Sequence, residues 1–129
     1  MTPIEAAALW IGLNALFLMY VSGRVGAARI KTKTNLGDGG NETMVRAIRT
    51  QGNYTEYAPA ALLGLFVLAS LGLGAVWIHA LGGVFLFARI SHLMGLGLGV
   101  WPQGRFVGTL LTMLTLLATA VMLIWKAYS

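Results

Sequence analysis

The chain has 129 residues, of which 57% are hydrophobic and only 10% charged, with a formal net charge of +5 and a mean hydropathy of +0.76. A soluble domain carries about 25% charged residues, so a soluble enzyme is excluded, while the length suits four membrane spans of about 20 residues joined by short loops. No cysteine is present, which rules out disulfides, thiolate metal sites and a protein thiol nucleophile; thiol chemistry here needs a ligand that brings the thiol.

Residues 6–23 carry no charge and predict a first helix over 3–27. The start lacks the basic residues of a secretory signal, so this helix is expected to be retained. Residues 30–43, IKTKTNLGDGGNET, are the one clearly polar segment. In it Asp38-Gly39-Gly40 marks a turn, and Asn41 or Thr43 is suited to cap the next helix. No charge falls between Tyr57 and Ala88, too long a run for one helix. Gly72 and Gly74 mark its break, which gives a second helix over 43–71 and a third over 75–98. Trp101-Pro102-Gln103-Gly104 is the next turn, and a fourth helix follows over 104–127. On that helix Thr112, Thr115 and Thr119 form one stripe, and Ala60 and Gly64 lie four apart on the second. Small residues in these patterns let helices approach closely in lipid. The expected fold is an all-α integral membrane protein, an up-down bundle of four transmembrane helices forming a single domain over 1–129.

Eight of the nine Lys and Arg residues fall between positions 24 and 49 or at 89 and 105. They sit at helix ends rather than interleaved with aromatics on a solvated surface, which argues against nucleic acid as a partner. The loop after the first helix and the turn after the third lie on one side and are basic. The positive-inside rule puts that side in the cytoplasm and both termini outside.

The most informative stretch is RTQGNYTEYAP, residues 49–59. On an ideal helix Arg46, Arg49, Asn53, Glu56 and Tyr57 fall within about a 100° arc, and Glu56 lies roughly 10 Å along the axis from Arg49. A charge at the bilayer centre costs roughly 2.5–3.5 kcal/mol and should face protein or a polar cavity. Two readings follow, an Arg–Glu pair that locks helices together and a ligand site. The third helix adds Arg89 and His92 on one face, the fourth opens on Arg105, and the first closes on Arg24. Any one of these cations alone could reach the phosphate headgroups. Four helices delivering a cation to one layer beside Asn53, Glu56 and Tyr57 favour a small polyanion, because arginine binds carboxylates bidentately. Glu56 suits an amine on the same ligand, and lipid-facing grooves would admit an apolar second substrate.

These residues resemble a known family. RAIRTQGNYTEYAP carries the Arg-x-x-x-Asn-x-x-Glu-x-x-Pro pattern at Arg49, Asn53, Glu56 and Pro59, and FLFARISHLMG matches at Arg89 and His92. The chain resembles a bacterial-type member of MAPEG, the membrane-associated proteins in eicosanoid and glutathione metabolism. That family includes microsomal glutathione transferases, microsomal prostaglandin E synthase and the cysteinyl-leukotriene synthase. The resemblance implies a homotrimer in the bacterial inner membrane, with glutathione as co-substrate bound between subunits near the cytoplasmic face. It implies glutathione contacts at Arg49, Gln51, Asn53, Glu56, Tyr57, Arg89 and His92, and no metal. Arg105 matches the arginine thought to stabilise the glutathione thiolate, and Arg24, at the basic end of the first helix, is the second candidate. Leu96 departs from the pattern, standing where several of the enzymes have a ligand-binding tyrosine.

The function this implies is a glutathione-dependent transferase or peroxidase acting on a lipophilic molecule or lipid. The alternative is a non-catalytic lipid-binding or scaffolding protein of the same fold, which the family also contains. A small proton-coupled exporter would need an acidic residue in the middle of the first helix, where this chain has only Glu5 at the tip.

Overall fold

The computed structural model describes residues 1–129 and contains four helices. These are α1 (Pro3–Thr32), α2 (Glu42–Ser70), α3 (Ala75–His92) and α4 (Gly104–Tyr128), with α3 prolonged by a π-helical turn over Leu93–Gly97. Each start and stop has a local cause. Thr2 caps α1 and is answered by Glu5 in a reciprocal capping box, with Pro3 in the first turn. Asn41 caps α2 by accepting from the Met44 N–H at 3.3 Å, while Asp38 accepts from the Gly40 N–H at 2.8 Å, as a turn aspartate does. Between α2 and α3, Gly72 takes a φ of +77°, open to glycine without strain.

The first helix runs past the expected end at Ala27 to Thr32. Its last turn is held by Arg29, whose Nη1 donates to the carbonyls of Thr34 and Gly37 and so ties the following loop back onto the helix. The π turn closes through the Leu98 N–H on the Leu93 carbonyl, and it falls within the span expected for the third helix.

Three helices are long and apolar enough to cross a membrane: α1, α3 with its π turn, and α4. The second helix, 29 residues long, is not among them, because its first half carries Glu42, Arg46, Arg49, Gln51, Asn53 and Glu56. It has neighbours on three sides: α2 and α3 touch each other and both α1 and α4, whereas α1 and α4 do not meet. The bundle is thus a diamond with α2 and α3 across its short diagonal.

Three apolar clusters fill it from end to end. Near the termini, Ala6 and Ala7 pack on Leu65, Leu68, Ile78 and Leu81. Phe17, Val21, Tyr54 and Phe85 fill the middle. Val25 and Ala28 meet Met44 and Ala47 at the end bearing the α1–α2 loop.

The fourth helix adds only partly buried apolar side chains to these clusters, Leu116, Ala118, Met122 and Leu123. Its buried residues are Gly104, Gly108, Thr112, Thr115 and Thr119, so α3 and α4 approach backbone to backbone. A Cβ added at Gly104 would strike the Ser91 carbonyl, and one at Gly108 the Ala88 carbonyl. This is the close approach that small residues permit where lipid supplies no hydrophobic drive between helices. The threonine stripe expected to pack does so, and Gly64 receives the Thr119 methyl. Ala60, expected to act with Gly64, is exposed instead.

Candidate functional site

The arc of polar residues on α2 divides into three environments. Asn53 and Tyr57 turn partly inward. Arg89 of α3, only 1% exposed, donates from Nη2 to Asn53 Oδ1 at 2.5 Å and from Nη1 to Thr112 Oγ1 of α4 at 3.2 Å. Its guanidinium carbon also lies 5.8 Å from the centre of the Tyr57 ring, within cation–π range. One buried cation therefore joins three helices, and only its Nε lacks a partner.

Arg46 turns toward the end of α3. It pairs with Glu42 one turn earlier, Nε to Oε1 at 3.0 Å, and donates from Nη1 to the Leu96 carbonyl at 3.0 Å. Arg24 of α1 reaches the same turn, its Nη2 donating to the Gly97 carbonyl at 3.2 Å. A helix C-terminus presents unsatisfied carbonyls and a partial negative charge, so two guanidiniums there are favourable.

Beside this turn lies a cavity of about 430 Å³ lined by Glu42, Val45, Arg46, Leu96, Pro102 and Arg105, among others. Arg105, exposed at the start of α4, thus shares a polar cavity with Arg46. Leu96 forms part of the wall.

Arg49 and Glu56 make up the third environment. Both are exposed, and neither forms an ion pair or side-chain hydrogen bond: the chain's one salt bridge joins Glu42 and Arg46. An Arg–Glu lock between these two residues is therefore absent within the chain. They stand on one stripe of the outer face of α2, with exposed Ala60 and Leu63 beyond them.

The remaining candidates lie apart. Gln51 donates from Nε2 to Ser22 Oγ of α1 at 2.9 Å. His92 is 2% exposed and packs against Gly108, with no partner at Nδ1. His79 is near the other end of the bundle, where its Nδ1 accepts from Trp10 Nε1 at 3.1 Å.

A sequence model of the MAPEG family matches residues 7–125. The chain belongs to the MAPEG family. Over 89 residues it is 35% identical to "Inner membrane protein YecN" of Escherichia coli K12, an alignment covering 69% of this chain and 68% of the relative. The protein of the same name from Escherichia coli O6:H1 matches equally over the same shares. No solved structure matches the chain.

Within this MAPEG chain, family membership and three apolar helices make it an integral membrane protein. The geometry also brings in residues that the sequence reading left without a role. Asn14 on α1 is fully buried; its side chain donates to the Trp10 carbonyl at 2.9 Å, and its Oδ1 and carbonyl accept from the Tyr54 hydroxyl at 3.2 and 3.0 Å. A single Asn in an uncharged run has no periodic partner to betray it. The signal was its polarity alone, since an amide at that depth must find partners inside the protein.

Proposed function

We propose that this MAPEG protein is a membrane-bound, glutathione-dependent transferase or peroxidase that acts on a lipophilic electrophile. It works as a homotrimer in the bacterial inner membrane, with its basic loops cytoplasmic and its termini outside. The observation that carries this reading is the pair Arg49 and Glu56, charged, exposed and unpaired on the outer face of a helix in the bundle. Charges so placed need a polar partner rather than lipid. A neighbouring copy and an anionic ligand between the two copies would supply it. Glutathione matches the chemistry: its two carboxylates suit the guanidiniums, and its amine suits Glu56.

Arg105 is the group proposed to hold the thiolate. Lowering a thiol pKa from about 8.5 to about 6.5 requires roughly 2.7 kcal/mol of preferential thiolate stabilisation. A charge-assisted hydrogen bond from the Arg105 guanidinium, screened from water by the bound ligand, is of that order. The thiol proton leaves to solvent, the thiolate sulfur attacks the electrophilic carbon, and the leaving group departs with the bonding pair. The apolar groove between α3 and α4, about 310 Å³ and lined by Trp77, Val84, Leu111 and Leu114 among others, suits the lipophilic partner.

The test is glutathione titrated into detergent-solubilised protein, followed by conjugation to a chlorodinitrobenzene. Arg105→Ala should lower kcat by more than about tenfold while the KM for glutathione moves less than about threefold. Equal rates in the two proteins would remove Arg105 from the mechanism. Arg49→Ala and Glu56→Ala should weaken glutathione binding and leave the oligomer its full size.

A second reading, a non-catalytic lipid-binding or scaffolding protein, has its own observation. Leu96 puts an apolar side chain into the wall of the basic cavity, and Arg89 and Asn53 already satisfy each other. Saturable lipid binding with no thiolate absorbance on adding glutathione would select it.

A further inference from the structure

The π turn that ends α3 is gripped at consecutive carbonyls by arginines from two other helices, Arg46 on Leu96 and Arg24 on Gly97. We propose that these two arginines are positioning residues, a clamp on the π turn through which the location of Arg105 is set. This inference rests on the reading that Arg105 faces the glutathione thiolate.

The connection from clamp to Arg105 is steric. Gly95, one residue before the clamped carbonyls, lies so close to the start of α4 that a Cβ there would overlap the Arg105 backbone nitrogen. Gly104 is equally tight against the Ser91 carbonyl and the Trp101 ring. Packed backbones of this kind move together, because an interior at crystal-like density leaves no slack to absorb a shift. Displacing the turn therefore displaces the residue on which Arg105 is hung.

The Arg46 arm of the clamp is itself oriented. Glu42 holds the Arg46 guanidinium from the side away from Leu96. On the other arm, Gly97 leaves room for Arg24, since a Cβ there would meet Arg24 Nη1 at 2.7 Å and Thr50 Oγ1 at 3.0 Å. A π turn is a rare geometry that recurs at functional sites. Here it carries the last residues of α3 to the cavity that Arg46 and Arg105 share.

The experiment follows thiolate absorbance of the full-length protein with glutathione against pH, together with steady-state kinetics. Arg46→Ala should raise the pH midpoint of thiolate formation by about one unit and lower kcat about tenfold near that midpoint, with the KM for glutathione within about twofold. Gly97→Ala, which crowds both Arg24 and the Leu93 side chain of the π turn and removes no charge, should raise the midpoint in the same direction. Arg46→Lys should restore most of the wild-type midpoint, since an ammonium can still donate to one carbonyl, and Gly97→Ala carries the test if Arg46→Ala fails to fold.

An unchanged midpoint in Arg46→Ala and Gly97→Ala, with wild-type thiolate present, overturns the clamp alone. A rise in KM without a change in midpoint makes Arg46 a ligand contact and also overturns it. A wild type that forms no thiolate overturns the glutathione reading, and the positioning role with it.

Discussion

Arg89 holds side chains of α2 and α4 at once, and few residues could replace it. The fork of a guanidinium gives Nη1 and Nη2 to separate acceptors, and a lysine offers one charge centre that cannot span both. Arg89→Ala would also leave the partly buried Asn53 Oδ1 without its donor and open a cavity among three helices. The expected cost is about 3 kcal/mol, from the lost packing and the orphaned acceptor together. Unfolding of the purified protein in mixed micelles measures it, and a loss below about 1 kcal/mol would mean that Arg89 is not a structural hub. Tyr54→Phe, which removes only the hydroxyl that Asn14 accepts, should cost about 0.6 kcal/mol and no more than about 1.7 kcal/mol, the mean and the maximum for single hydrogen bonds in a membrane bundle.

At this scale the sequence told chemical type but not direction. Arg46, Arg49, Asn53, Glu56 and Tyr57 share an arc of α2 as expected, yet the arc straddles the border between the buried and the outer face. Asn53 and Tyr57 face Arg89, whereas Arg49 and Glu56 face out. An ideal helix wheel fixes relative angles only. Which way the whole wheel is turned depends on where the neighbouring helices pack, and a single helix does not carry that information.

Among the elements, helix extents were the most readable property, because uncharged runs and glycine-marked turns are dictated locally. Ser70 and Ala75 bracket the break at Gly72 and Gly74, and α4 starts at Gly104, all close to the sequence expectation. The end of α1 was less readable: Lys31 and Lys33 look like loop, but Arg29 binds loop carbonyls and the helix continues to Thr32. The lower hydropathy of α2 has the same origin as its interest, since the polar groups that make a site also weaken a span. Tight α3–α4 contact gives a prediction at this scale. Gly108→Leu should destabilise the protein by more than the 1–3 kcal/mol typical of overpacking, because the obstacle is the Ala88 backbone rather than a movable side chain. Thermal inactivation in detergent tests this, and a variant as stable as wild type would show that α4 can move away from α3 without penalty.

For the whole molecule, the distribution of charge is what supports the proposed orientation across the membrane. Arg24, Arg29, Lys31, Lys33, Arg46, Arg49 and Arg105 belong to the end of the bundle that bears the α1–α2 loop and the π turn, while Lys126 stands near the chain's C-terminus at the other end. The absence of native cysteines makes orientation directly measurable. A single cysteine replacing exposed Asn35 should resist a membrane-impermeant maleimide added to intact cells and react once the inner membrane is opened. One replacing exposed Ser129 should react from outside. The reverse pattern would invert the proposed topology and place the Arg46–Arg105 cavity on the wrong side for cytoplasmic glutathione.

The bare inner face of α4 has a consequence for how this chain can vary. Two glycines and three threonines are its only fully buried residues, while Phe106, Leu110, Leu117, Val121 and Ile124 on its other side are exposed. Enlargement is therefore forbidden on one side, and exchange among apolar side chains is nearly free on the other. A saturation library of residues 104–128 should return survivors whose tolerance rises and falls with the helical repeat. Its minima should mark the contact lines with α3 and α2 in any relative that keeps the same spacing.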